Sequence, residues 1–497
     1  MFNLVQTEIS LKKNIVPIVG ILILSGTSTI FICLQMWLPL AFLIIISGLV
    51  PILMIYAKKI AQVNSVSYGA ALFSILLLVM GYQISFDFGV VRLALVDILI
   101  FTFLVFAFAK GLNGEILRSI AHDGKYLRLL ILFLIAISLS IFNSINVSSS
   151  LKDVLQALLY SVGSYIVLVN LIKSRNDLQV ICRSIVILGV LLSLIGIAQW
   201  LGVIFAGFDI MDPIMVGNAT PSSGSWFRVR ASSLFYHFDS FSSFLLLPLF
   251  LSLTFAKLAK SRGYLLCAFI VISGIIVTWA RGPILGALVG LLLFSLLLKE
   301  VRPILLLASL VIAAMGLHRV VTGPEREYLA QYFYLTGRFQ AGTIKARLID
   351  LNIAWRFFLE HPLIGMGWGT FCQQIFRLTG GTFRLGGMVK DGTPGSLPAL
   401  FLSETGLIGT VAFATVLFYP LWKSLRAFNR IKKIGLDNVD CIILGGLLIA
   451  LVSEITNGLV HGVNFFLRGT GLFYWATLHM NVIFARMVVG RSKGAGW

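Results

Sequence analysis

Residues 263–298 read GYLLCAFIVISGIIVTWARGPILGALVGLLLFSLLL, two apolar runs interrupted by one charged residue, Arg281. Each run approaches the length a helix needs to cross a hydrocarbon layer of about 30 Å. Outward from this stretch the same pattern recurs along nearly all 497 residues, of which 58% are hydrophobic and only 12% charged. Mean hydropathy is +0.96, outside the range of a soluble globular protein. A β-barrel is excluded, because its strands would alternate apolar and polar residues. The expectation is an all-α polytopic membrane protein, one membrane domain over residues 1–497. Spans are expected near 15–34, 37–57, 66–84, 91–109, 127–144, 152–172, 184–205, 233–256, 263–280, 282–298, 303–318, 397–422, 440–460 and 469–485. The pairs flanking Met36 and Arg281 are linked tightly enough to be hairpins, so the count is about 12 to 14 transmembrane helices.

Basic residues set the expected orientation. Of 39 Lys and Arg, 24 fall in clusters such as Lys12/Lys13, Lys58/Lys59, Lys257/Lys260/Arg262 and Lys423 to Lys433 that these spans place on one side, together with the N-terminus. By the positive-inside rule that side is cytoplasmic, with both termini on it. The first span has no small-residue cleavage site after it and reads as a retained anchor. The cysteines Cys33, Cys182, Cys267, Cys372 and Cys441 are scattered, so neither a disulfide framework nor a zinc site is expected.

Two outer segments are long enough to build a site, 206–232 and 319–396. The second is basic, carrying among others Arg319, Arg338, Lys345, Arg347, Arg356 and Lys390. Within it Ile344, Leu348, Leu351, Trp355 and Phe358 recur at helical spacing until Pro362 ends the pattern. This predicts an amphipathic helix over the membrane mouth, with Arg347 on its polar side. The Gly-rich stretch HPLIGMGWGTF, His361–Phe371, predicts a tight turn back toward the bilayer. No GxGxxG, P-loop, HExxH or GxSxG motif occurs, which argues against nucleotide chemistry and metal hydrolysis.

Three stretches resemble one family, the O-antigen ligases and the O-antigen, capsule or exopolysaccharide polymerases that share a membrane core. They are RASSLFYHFDSFSSFL from Arg230, VTWARGPILGALVG around Arg281, and RLIDLNIAWRFFLEHPLIGMGWGTF from Arg347 followed by LFLSETGLIG from Leu400. The resemblance covers roughly residues 180–480. It implies a glycosyltransferase C-like membrane enzyme of the bacterial inner (plasma) membrane, with its large loop periplasmic or extracellular. The implied donor is a glycan on undecaprenyl pyrophosphate, with no metal, nucleotide or other cofactor. The implied partners are the lipid bilayer, a flippase and a chain-length-regulating co-polymerase, and no nucleic acid. In this family arginines hold the pyrophosphate, which corresponds here to Arg230, Arg281 and Arg347. Two departures stand out. Ala280 replaces the serine usual before the arginine of the turn, and the ligases' His-Asn pair is replaced in register by Gly395 and Ser396, which tilts the reading from ligase toward polymerase.

Read from the residues alone, an arginine between two spans marks a substrate path or a snorkelling interfacial side chain. A planar guanidinium suits pyrophosphate because it donates two parallel hydrogen bonds. Arg228, by contrast, reads as a solvated rim charge. A base for the acceptor hydroxyl should be a His or a carboxylate near the outer mouth. The candidates are Glu404, Asp239 and His361, with His237 and His461 behind them. A transporter of an anion or of the lipid-linked glycan is the reading from another class, but transporters commonly show internal repeats and none is visible here.

Overall fold

In a computed structural model, residues 85–87, 92–94, 124–202, 230–235, 237–300, 343–378, 396–434, 438–460 and 471–491 are described, without the side chains of 85–87, 92–94, 343–348, 350, 434, 438 and 460. The expected spans near 15–34, 37–57, 66–84 and 303–318 lie outside the described residues, as do Arg228 and His461. Twelve helices are described: α1 Gly124–Leu139, α2 Val147–Leu158, α3 Ser164–Leu171, α4 Arg175–Leu201, α5 Phe238–Ala259, α6 Arg262–Val277, α7 Arg281–Leu298, α8 Thr343–Glu360, α9 Phe371–Leu378, α10 Leu397–Ile434, α11 Asn438–Val460 and α12 Gly471–Arg491. A π-helical segment, Leu159–Gly163, joins α2 to α3 as one continuous span.

Among the described residues eight helical stretches are long and apolar enough to cross a membrane, and α6 is a shorter apolar helix. The helical expectation therefore holds, with one local correction. The span expected from 91 begins instead as strand Arg92–Ala94, paired antiparallel with Ser85–Asp87 in a register that sets Asp87 opposite Arg92. In sequence, Gly89, Val90 and Val91 between the two strands are all poor helix formers.

The surface is apolar and the interior holds polar groups, the reverse of a water-soluble fold. Leu132, Leu292, Leu296, Val411 and Phe418 are exposed, while Ser243, Thr254, Glu454, Asn457 and Asn481 are buried. Only a hydrocarbon solvent makes that distribution favourable. Without a hydrophobic drive between helices, close packing needs small residues. Gly286 and Gly290, a GxxxG pair on α7, supply it. A Cβ on Gly286 would stand 2.6 Å from the Ser453 carbonyl of α11, and one on Gly290 would run into the Phe250 ring of α5.

The two ends of the bundle differ. At one, Asp440 at the start of α11 accepts from Arg175 of α4 at 3.4 Å and from Arg491 of α12 at 3.1 Å, and Lys257 of α5 meets Glu300 after α7 at 3.8 Å. Among the described residues Arg175, Lys257 and Arg491, members of the expected basic clusters, make these pairs. The signature segments meet at the other end.

Candidate functional site

The helix breaks inside α10 at Gly406, where φ is 62° and ψ −159°. Into that break fits the loop that follows α8. Leu407 N donates to Pro362 O at 2.8 Å and Ile408 N to Leu363 O at 3.1 Å. In return Met366 N donates to Ser403 O at 3.0 Å and Gly367 N to Glu404 O at 3.1 Å. Residues 361–371 and 403–408 thus form one clasp, the physical reason both carry their glycines. Gly365 at φ +72° lies so close to the backbone of Glu404 and Thr405 that no side chain fits.

Glu404 sits at the centre of the clasp and is 1% exposed. Its carboxylate accepts Gly369 N at 2.8 Å, two residues before α9, and Phe371 N at 3.0 Å, the first N–H of α9. A carboxylate there satisfies orphan donors and meets the positive end of the helix. α9 itself was not anticipated; the tight turn expected over 361–371 leads into it. Glu404→Ala should strand two buried N–H groups at about 1–3 kcal/mol each. Glu404→Gln, which keeps one acceptor oxygen, should cost less, so unfolding midpoints should fall in the order wild type, Gln, Ala. Inactive variants with unchanged midpoints would instead mark Glu404 as the base.

A second carboxylate touches this clasp. Asp153 of α2 lies against Gly369, and Ser150 of the same helix donates to Trp368 O at 2.6 Å. The only sequence sign of it was Lys152-Asp153 at the head of an otherwise apolar span. His361 is exposed, directly after α8, with its Nδ1 3.5 Å from Asn143 Nδ2. Asn143 also donates to Gly365 O at 2.8 Å, which ties α1 to the clasp.

α8 is a helix where the amphipathic one was expected, but the face it buries is not the expected stripe. Ala354 and Phe357 pack with Phe371, Cys372 and Ile375 of α9 and with Met366 and Ala399, while Leu351, Trp355 and Leu359 stay exposed. Of the expected stripe, Leu351 and Trp355 therefore face outward, where bilayer lipid would cover them, and Phe358 is half-buried. A cleft of about 330 Å³, lined by Leu351, Asn352, Ala354, Trp355, Ala399 and Leu402, runs between α8 and α10. Arg347 lies on α8, its side chain outside the described residues.

The remaining candidates meet around the start of α5. The helix expected from 233 begins only at Phe238, because His237 is its cap: Nδ1 accepts from Asp239 N at 3.3 Å and stands 3.3 Å from Asp239 Oδ2. Residues 230–235 instead run beside the end of α6, with Ala231 N donating to Val277 O at 3.2 Å and Gln199 Oε1 accepting from Ser232 N and Ser233 N. Arg230 is half-buried with its guanidinium 4.4 Å from the centre of the Phe238 ring. Four residues beyond Val277, after a left-handed Trp279 at φ 53°, Arg281 opens α7. Its side chain is exposed, and the cap residue Ala280 offers no side-chain acceptor. The Ala231–Val277 bond therefore brings the Arg230 and Arg281 segments to one end of the bundle, beside Asp239 and His237.

Aromatic rings connect this cluster to the clasp. Trp368 packs on Phe401, Phe401 on Phe133, and Phe133 on Trp475 of α12; two residues away on α12, Phe473 packs on Phe244, and Phe244 on Phe235. Among the described residues no group of three His, Cys, Asp or Glu could hold a metal ion.

Comparison with curated proteins gives no match. A family model described as O-antigen ligase matches residues 266–414. The match takes in Arg281, Arg347, the clasp and Glu404, while Arg230 and Asp239 lie before it. That stretch, lying within a helical, membrane-type bundle, is similar to the O-antigen ligase family.

Proposed function

We propose that the protein is a polymerase that elongates oligosaccharide repeat units carried on undecaprenyl pyrophosphate at the outer leaflet of the bacterial plasma membrane, building O-antigen, capsule or exopolysaccharide. The observation that carries this reading is the meeting of the Arg230 and Arg281 segments at the end of the bundle opposite the Arg175–Asp440–Arg491 cluster. That basic end faces the cytoplasm in this reading. The arginines grip the donor's diphosphate at the outer mouth. As the acceptor hydroxyl attacks the anomeric carbon, the carbon–oxygen bond to the diphosphate breaks and its electrons leave with the lipid pyrophosphate. Fixed cations stabilise that growing charge better than reorganising water does. The hydroxyl proton goes to a base, and the His237–Asp239 pair, with Nδ1 3.3 Å from Asp239 Oδ2, is the base this geometry favours. His361 is the second candidate, and Glu404 acts through its hold on the clasp.

One observation favours a ligase as the second reading, namely the description of the matching family model. The absence of a His-Asn pair at residues 395 and 396 speaks for the polymerase. Purified protein in vesicles, given only the lipid-linked repeat unit and no nucleotide, should produce a ladder of longer glycans. Product that forms only when an acceptor such as lipid A core is added would establish the ligase. Glycan that crosses the membrane at unchanged length would establish a transporter and end both readings.

A further inference from the structure

Deep in the bundle α11 carries a carboxyl that no motif marked. Glu454 is 2% exposed. Its Oε1 lies 3.0 Å from Thr477 Oγ1 on α12. One turn on, Asn457 donates from Nδ2 to Ser243 Oγ of α5 at 2.9 Å and to the Tyr474 hydroxyl of α12 at 2.7 Å. Residues 454 and 457 share one helix face, as do 474 and 477, so the contacts are adjacent rungs of one polar ladder between α11 and α12. Two acceptors in that ladder, Glu454 Oε2 and Asn457 Oδ1, have no hydrogen-bond partner among the described residues. The Thr477 hydroxyl has one proton, and Phe473 O, 2.9 Å away, competes for it.

We propose that Glu454 is a proton-binding site within the bundle, held as the neutral acid with its Oε2–H donated to Asn457 Oδ1. One proton then satisfies both unmatched oxygens. Among the described residues an ionised carboxylate here would lack compensation, because the groups of its ladder are neutral: Thr477 from α12 beside Glu454, and Tyr474 from α12 and Ser243 from α5 beside Asn457. Ser453, its neighbour in sequence, turns to Gly286 of α7. His479 is engaged with Tyr126 of α1, and the ion pairs of α11 and α12 lie at Asp440 and Arg491, the far end. Among the described residues neither α7 nor α10 adds a charged group to its hydrogen bonds. A bare charge in such surroundings is among the most costly of buried groups. A hard metal cation is the competing occupant, but such ions gather about six to eight oxygens, and the ladder offers two unpartnered ones.

The test is infrared difference spectroscopy on the full-length protein in nanodiscs at neutral pH, wild type minus Glu454→Gln. The proposal expects a protonated-carboxyl C=O band that is lost in the variant and shifts in D2O. It also expects Glu454→Gln to keep the wild-type unfolding midpoint, since the amide reproduces both the shape and the donor of a neutral acid. Glu454→Ala should lower the midpoint by about 5 °C or more. Carboxylate bands in the difference spectrum would overturn the proposal. So would a sodium-dependent midpoint that disappears in Glu454→Gln, which would make the occupant a cation, or failure of Glu454→Gln to fold.

Discussion

Gly365→Ala is expected to open the clasp between residues 361–371 and 403–408 and to abolish glycan elongation. The glycine sits at φ +72°, a conformation that costs a residue with a Cβ about 1–2 kcal/mol. The larger penalty is steric. The added methyl would run into the carbonyl of Glu404 and the amide nitrogen of Thr405, backbone atoms held inside α10 that cannot turn aside as a side chain could. Opposite, Gly406 is equally confined, for a Cβ there would stand 2.6 Å from Leu363 O and from Gly365 N. Relief requires the two segments to part, losing the four backbone hydrogen bonds made by Met366, Gly367, Leu407 and Ile408. We expect a loss above about 4 kcal/mol, the range reserved for a named steric or polar defect. Amide hydrogen exchange should speed up at those four residues, and the unfolding midpoint should fall. A variant with wild-type protection and a normal product ladder would show that the clasp has no bearing on the site.

The sequence made the apolar spans legible because hydrocarbon imposes both length and composition on a helix, and every expected span from 127 onward whose residues are described has its helix. Starts were harder to place. The helix expected from 233 begins at 238, since the cap is a histidine and caps are ordinarily Ser, Thr, Asp or Asn. The two signature segments were visible as motifs, but not that they close on each other, because the pairing is between backbone groups and leaves no side-chain pattern. For the same reason Glu404 read as a candidate base: burial in a span was predictable, whereas its engagement with Gly369 N and Phe371 N was not. Glu454 went unmarked because a single carboxyl in the apolar stretch that follows Asp440 does little to the average over this 23-residue helix.

Arg281→Ala should stop elongation while leaving the fold intact, and the reason lies in where the chain puts this residue. It opens α7, so the positive end of an 18-residue helix lies beside its guanidinium. Most helices close that end with a side-chain oxygen, and a serine at 280 would do so; Ala280 leaves it to other donors and acceptors. A diphosphate is the ligand such an end accommodates, taking backbone N–H groups and a forked guanidinium together. Removing one positioned donor from a site of this type costs about 10²- to 10³-fold in rate, or about 3–4 kcal/mol. Because the side chain is exposed, stability should shift by no more than about 0.5 kcal/mol, so the loss would be one of chemistry. Arg281→Lys separates charge from shape: lysine keeps the positive charge but loses the fork, and should rescue only part of the rate. The measurement is the length distribution of lipid-linked glycan made by the purified variants at matched folded concentration. If Arg281→Ala yields the wild-type distribution, the diphosphate is held elsewhere, and the chemistry assigned to this end of the bundle falls with it.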